Sequence, residues 1–194
     1  CEGTTRKITV IIISTVLPGT IDREIRPLFN KYMSLCYNPF FIAMGTTIND
    51  FMNPEFVLFG HDDPEAADIA EGLYSSIHDR PVYRTTVRNA ELIKVSYNTF
   101  IGMKITFVNT LMEICHKTAC TVHDVTDALK MASERLISPK YLTAGMGDGG
   151  GCHPRDNIAM SWLAQKLDLS HNFFDDLMTA RENQTDWLAD LIVA

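Results

Sequence analysis

Gly147-Asp148-Gly149-Gly150-Gly151-Cys152-His153-Pro154-Arg155-Asp156 is the stretch richest in groups that could do chemistry. Glycines let a backbone approach a ligand closely. A cysteine leaving such a loop beside Arg155, at the start of a predicted helix, has its thiolate stabilised by both charge and dipole. An accessible thiolate of that kind is a nucleophile. The competing reading is a flexible loop with an incidental thiol, and spacing alone leaves both open. Gly145, Gly147 and Gly150 satisfy the literal pattern GxGxxG, but they follow Pro139 and a loop rather than a strand, which argues against a dinucleotide fingerprint there.

Other clusters read as ordinary structure. Cys115, His116, Cys120 and His123 gather near a helix end, but cysteines five residues apart on a helix leave from different faces, and no metal site is expected. Asp175 and Asp176 are adjacent on a predicted helix, so they diverge and belong to a solvated face. Met103 and Met112 read as core filler, and Trp162 and Trp187 as packing residues.

These groups must be positioned by α/β elements that give way to helices. The β-branched run from Arg6 to Ser14 suits a strand buried on both faces of a parallel sheet. Pro18-Gly19-Thr20 breaks the chain, and a short helix is expected over 21–30. Strands follow at 32–37, 55–59 and 82–84, with a helix over 64–77. Short connections imply parallel pairing with crossover helices. After Thr86 the character changes: 89–117 contains no proline and repeats apolar residues at helical spacing, which predicts one helix about 42 Å long. Thr121 is a candidate cap for a helix over 122–133, and further helices are expected at 157–167 and 170–194. The fold class is therefore α/β followed by all-α, with the boundary near residue 86.

Composition narrows the function classes. The chain has 194 residues, 46% hydrophobic and 21% charged, as a globular protein should. A net charge of -7 with scattered Lys and Arg leaves no basic stripe for a phosphate backbone, so no nucleic-acid partner is expected. The longest apolar run, Ile8 to Ile13 interrupted by Thr9, is far short of the roughly 20 residues that span a bilayer, so no membrane span is expected either. Five irregularly spaced cysteines read as reduced thiols of a cytoplasmic protein. The chain starts at Cys1 rather than Met, and a fragment or processed product is expected.

The cysteine loop resembles the GxGGxCxPKD motif of the UDP-glucose/GDP-mannose dehydrogenase family, nucleotide-sugar oxidases that convert a primary alcohol to a carboxylate with two NAD. Other segments fall in the family's order. Ser14-Thr15-Val16 with Pro18-Gly19-Thr20 is similar to the end of its cofactor domain, and Asn38-Pro39 to its NPEFLAEG segment. Ala90-Glu91-Leu92-Ile93-Lys94 with Asn98 resembles the start of its central helix. Arg135-Leu136-Ile137 resembles an arginine that reaches the neighbouring subunit's sugar site.

The resemblance implies that residues 1–86 form the C-terminal half of a Rossmann-like NAD-binding domain. It makes 87–194 a helical central domain, dimerising through the long helix. Cys152 would attack an aldehyde intermediate, and the second hydride would leave from a thiohemiacetal to give a thioester. Lys94 and Asn98, one helical turn apart, would stabilise the oxyanion; without the resemblance, Lys94 reads as a solvated lysine. Asp156 would hold a lysine or water, and Thr15 would orient a water near the sugar hydroxyl. Ser14, Thr15 and Arg155 would meet the cofactor. Arg155 stands where the family has Lys, and cannot transfer a proton at neutral pH. Sugar contacts would come from Lys94, Asn98, Arg135, Tyr141, Gly149 and Gly150.

The sequence departs from the family in one motif. Both NPEFLAEG glutamates are replaced, by Phe40 and Met44, which can neither accept a proton nor activate water. A single oxidation, or a scaffold without catalysis, is therefore the alternative. Asn53-Pro54-Glu55-Phe56 copies part of the motif, but it aligns with the following strand, and Glu55 is given no role. The family's Gly-rich fingerprint would lie upstream of Cys1 and its C-terminal nucleotide domain beyond Ala194, so this stretch alone is expected to hold NAD weakly.

Overall fold

The computed structural model describes residues 6–43, 45–138 and 152–193. Met44, Tyr141, Gly149 and Gly150 lie outside them. The chain divides into two compact units, Cys1–Ile101 and Gly102–Ala194.

The first unit is built on a four-stranded sheet, β1 (Ile8–Ile12), β2 (Met33–Tyr37), β3 (Val57–His61) and β4 (Val82–Thr85), in spatial order 1-2-3-4. Two of the three strand pairings are parallel, as expected, and one is not. β1 pairs parallel with β2, and β3 parallel with β4, but β2 meets β3 antiparallel through Cys36 with His61 and Tyr37 with Gly60. Between β2 and β3 the described residues form one short helix, α1 (Thr47–Met52), and the chain turns back to run antiparallel instead of crossing over the sheet. α2 (Pro64–Ser75) links β3 to β4, its first turn capped by Asp63, which accepts from the Glu65 N–H at 3.0 Å.

Alternation along the two central strands builds a core on each face. Leu35, Tyr37 and Leu58 join Ile21, Val87 and Ala90 on one side. Cys36, Val57 and Phe59 join Ala66, Ala70 and Tyr74 on the other. β1 is half-buried along its length and, among the described residues, pairs with β2 on one side. Instead of the helix expected over 21–30, a π-helical turn (Ile21–Ile25) and a 3-10 turn (Arg26–Leu28) occupy the segment; Pro27 lacks the N–H a continuing helix would use.

α3 (Val87–Thr118) is the predicted long helix, 32 residues or about 48 Å, and it runs through the division between the units. The second unit adds α4 (Val122–Lys130), α5 (Cys152–Lys166) and α6 (Phe173–Val193). Its core is Ile114, Ala164 and Phe174, with Met160, Leu163 and Leu167 around them. Polar ties close it: Glu113 accepts from the Ser170 N–H at 2.9 Å and from its hydroxyl at 2.8 Å.

Several local expectations are corrected. Thr121 stands at the start of α4 but makes no side-chain cap bond. α5 begins five residues before the expected Asn157, since Pro154 is tolerated in a first turn, where N–H groups lack intrahelical partners. Met103 and Met112 are about half exposed, not core, and Trp162 and Trp187 are mostly exposed. Trp162 instead carries the Lys166 ammonium over its ring, 4.9 Å from the centroid.

Candidate active site

Lys94 is 94% buried, the opposite of a solvated helix lysine; its residual exposure is 6%. It sits on the inward face of α3 with Ala90 and Glu91 in the turn before it, and that turn is fixed to the sheet. A Cβ placed on Gly60 would lie 2.7 Å from the Ala90 Cβ and 2.9 Å from the Val87 Cα. Only a glycine on β3 lets α3 come this close. Glu91, 99% buried, accepts from the backbone N–H groups of Gly19 at 2.5 Å and Ile21 at 2.8 Å. Its carboxylate thus satisfies the start of the turn after β1, as an N-terminal helix cap would.

With the helix so anchored, Lys94 Nζ lies 3.4 Å from Asn98 Oδ1 and 4.8 Å from the Phe41 ring centroid. Among the described residues no carboxylate pairs with it. Burial lowers its pKa from the ordinary 10.5, because the charged form loses hydration. Lys94 and Asn98 line a cleft of about 250 Å³ with Phe41, Asp50, Glu55 and Tyr97. Phe41 packs on Tyr97 with ring centroids 4.6 Å apart, making one aromatic wall. A buried ammonium beside a carboxamide in an open cleft is equipped to hold an anion, or an oxygen that becomes one.

The structure brings together Lys94 and Asn98 of the predicted residues and adds two that the sequence reading left out, Glu55 and Tyr97. Helical spacing held a signal for Tyr97, three residues after Lys94 on the same helix. Burial, followed by the charges of Glu55 and Asp50, pushes the Tyr97 phenol above its usual range. Asp50 itself is committed: its Oδ2 accepts from the Ala43 N–H at 2.9 Å and the Thr46 hydroxyl at 2.7 Å, bonds that hold its carboxyl below the usual range.

Phe40 does not face this cleft. Its ring packs edge-on against Phe51 and Tyr74, in the core on the α2 side of the sheet. The neighbouring Asn38 of the same motif is also structural. It donates to the Leu58 carbonyl at 3.0 Å and accepts from the Tyr74 hydroxyl.

Ser14 and Thr15 are exposed in the segment that follows β1, and neither lines the cleft. That segment is nevertheless the carboxyl end of a parallel strand, where α/β sheets hold dinucleotides. In the second unit Cys152 is the first residue of α5, with Asp156 one turn later and the exposed Arg155 between them. Arg135 is exposed in the turns after α4. No group of three or more potential metal ligands occurs among the described residues, and none of the described helices is long and apolar enough to cross a membrane.

An α/β unit with a mostly parallel sheet, followed through a long helix by a helical unit, is the arrangement of a nucleotide-cofactor domain followed by a helical domain. Residues 2–78 match the NAD binding domain, and residues 88–183 the central domain, of the UDP-glucose/GDP-mannose dehydrogenase family. The chain belongs to that family. It is 31% identical to GDP-mannose 6-dehydrogenase of Pseudomonas aeruginosa, over 96% of this chain and 44% of that protein. It is 33% identical to the UDP-glucose 6-dehydrogenase TuaD of Bacillus subtilis, over 95% of this chain and 41% of that protein. A ternary-complex crystal structure of the Pseudomonas aeruginosa GDP-mannose dehydrogenase is similar with a TM-score of 0.92 and 30% identity, covering 98% of this chain and 45% of that one. The chain thus spans somewhat less than half the length of the curated relatives it matches.

Proposed function

We propose that the protein oxidises the primary alcohol of a nucleotide sugar, a UDP- or GDP-hexose, toward the uronic acid. The observation that carries this reading is the Lys94–Asn98 pair: a buried ammonium with no described counter-ion, one helical turn from a carboxamide, in an open cleft. The names of the relatives supply the substrate class. By the family resemblance, Ser14, Thr15 and Arg155 would hold NAD, which when bound would supply hydride acceptance. Lys94 and Asn98 stabilise the oxygen on which negative charge develops.

By the motif resemblance, Cys152 adds to the aldehyde to form a thiohemiacetal, whose oxidation leaves a thioester for hydrolysis. Its place at the first residue of α5 supports this role, since a helix N-terminus favours a thiolate. Asp156 positions a lysine or water, and Arg135, Tyr141, Gly149 and Gly150 contact the sugar. The protein is read as a cytoplasmic homodimer joined along α3, a role supported by the exposed apolar side chains of Phe107, Val108 and Met112.

One observation favours a second reading, in which oxidation stops after one step. Phe40, at the position of a family glutamate, is packed in the core and offers no base. Iodoacetamide at neutral pH separates catalysis by Cys152 from a mere scaffold. Preferential alkylation of Cys152 over the other four cysteines, together with loss of aldehyde oxidation in Cys152→Ala, is the expected result. Full activity in Cys152→Ala would contradict the nucleophilic role.

A further inference from the structure

Oxidation of an alcohol to a carbonyl releases a proton as well as a hydride, and the group that takes the proton must begin unprotonated. Lys94 cannot be both that group and the ammonium that stabilises the oxygen. Two carboxylates line its cleft. Asp50 is committed to the turn into α1 by bonds from Ala43 and Thr46. Glu55 is held differently: it is exposed in the segment between α1 and β3, at the rim of the same cleft as Lys94, and its carboxylate shares a side-chain hydrogen bond with the Tyr97 phenol. Phe40 is turned away into the core, so the motif residue that would otherwise carry a carboxylate contributes none.

We propose that Glu55 is the proton acceptor in the oxidation of the sugar's primary alcohol, with Tyr97 as the side chain that positions it. This inference rests on the reading of Lys94 and Asn98 given above. In the step, the O–H bond breaks and its proton goes to the Glu55 carboxylate. The C–H bond breaks and its electron pair leaves as hydride to bound NAD+. The carbon–oxygen double bond forms, and Glu55 then loses its proton to solvent, which its exposed position allows. Lys94 and Asn98 hold the oxygen throughout. The charged and titratable groups around Glu55 are Asp50 from α1, Lys94 and Tyr97 from α3, and Arg80, whose guanidinium donates to Asn53 at 3.1 Å on the same rim.

The test uses the protein at its full natural length. Glu55→Gln should lower kcat for nucleotide-sugar oxidation by about 10²–10³-fold with KM within a few-fold. Glu55→Asp should restore part of the rate. A second readout is independent of turnover: the phenol of Tyr97, isolated as the ultraviolet titration difference between the parent and Tyr97→Phe, should ionise at lower pH in Glu55→Gln. Retention of kcat within three-fold, or an unmoved Tyr97 titration, would overturn the assignment of Glu55 while leaving the proposed function standing. A parent protein that oxidises no UDP- or GDP-sugar would overturn both.

Discussion

The carboxylate of Glu91 on α3 accepts the backbone N–H groups of both Gly19 and Ile21, residues some seventy positions earlier in the chain. One side chain thus closes the turn after β1 and fixes the helix that carries Lys94 a single turn further on. Replacing Glu91 with Ala would leave the buried Ile21 N–H unsatisfied, at about 1–3 kcal/mol, and the part-buried Gly19 N–H unsatisfied at a smaller cost. The expected outcome is a lower urea midpoint with an unchanged m-value. Gln keeps one acceptor oxygen and should fall between Ala and the parent.

Gly60 should be nearly as intolerant, for a steric reason. A methyl group there meets the Ala90 Cβ at 2.7 Å and the Val87 backbone at 2.9 Å, so α3 must shift away from β3. Gly60→Ala is expected to cost about 1–3 kcal/mol in equilibrium unfolding. It should also weaken nucleotide-sugar binding, because the shift moves Lys94. Gly72, around which a Cβ would meet nothing, supplies the control: Gly72→Ala should be neutral or slightly stabilising.

Lys94, which the proposed function places at the reacting oxygen, is held at a cost to the fold. Its pKa is lowered by burial from 10.5, so at pH 7 the folded protein carries a desolvated ammonium that the unfolded chain hydrates freely. Below the lowered value both states bind the proton and the full cost is present. As pH rises, the folded state releases its proton first, and above about 10.5 neither state is charged and the cost is gone. Lys94→Met should therefore unfold at higher urea than the parent at pH 7, by about 1 kcal/mol, with the gap closing toward pH 10.5. The same substitution should abolish the affinity for nucleotide sugars.

Much of this arrangement was legible in the residues. The strand segments of β2 and β3, the break at Pro18-Gly19, and the proline-free apolar spacing of α3 each follow from local chemistry. The π-helical turn at 21–25 did not, because its start is satisfied by Glu91 from a distant element and not by a local cap. The antiparallel step between β2 and β3 depends on where a long connection turns back, which periodicity does not encode. Lys94 and Asn98 were found through family spacing. Glu55 was passed over because its Asn-Pro context aligned with a strand, whereas β3 starts only at Val57 and leaves Glu55 in the preceding segment, at the cleft. Met103 and Met112 of α3 read as core filler from residue type alone, and their exposure emerges only from tertiary structure.

The most direct measurement is the number of NADH molecules formed per nucleotide sugar, by absorbance, with limiting substrate and the protein at its full natural length, across a panel of UDP- and GDP-hexoses. The account predicts two for at least one sugar, the full passage from alcohol to acid without carboxylates at positions 40 and 44. A count of one would contradict the thioester route through Cys152 and leave the single oxidation. None with any sugar would contradict the enzymatic reading altogether.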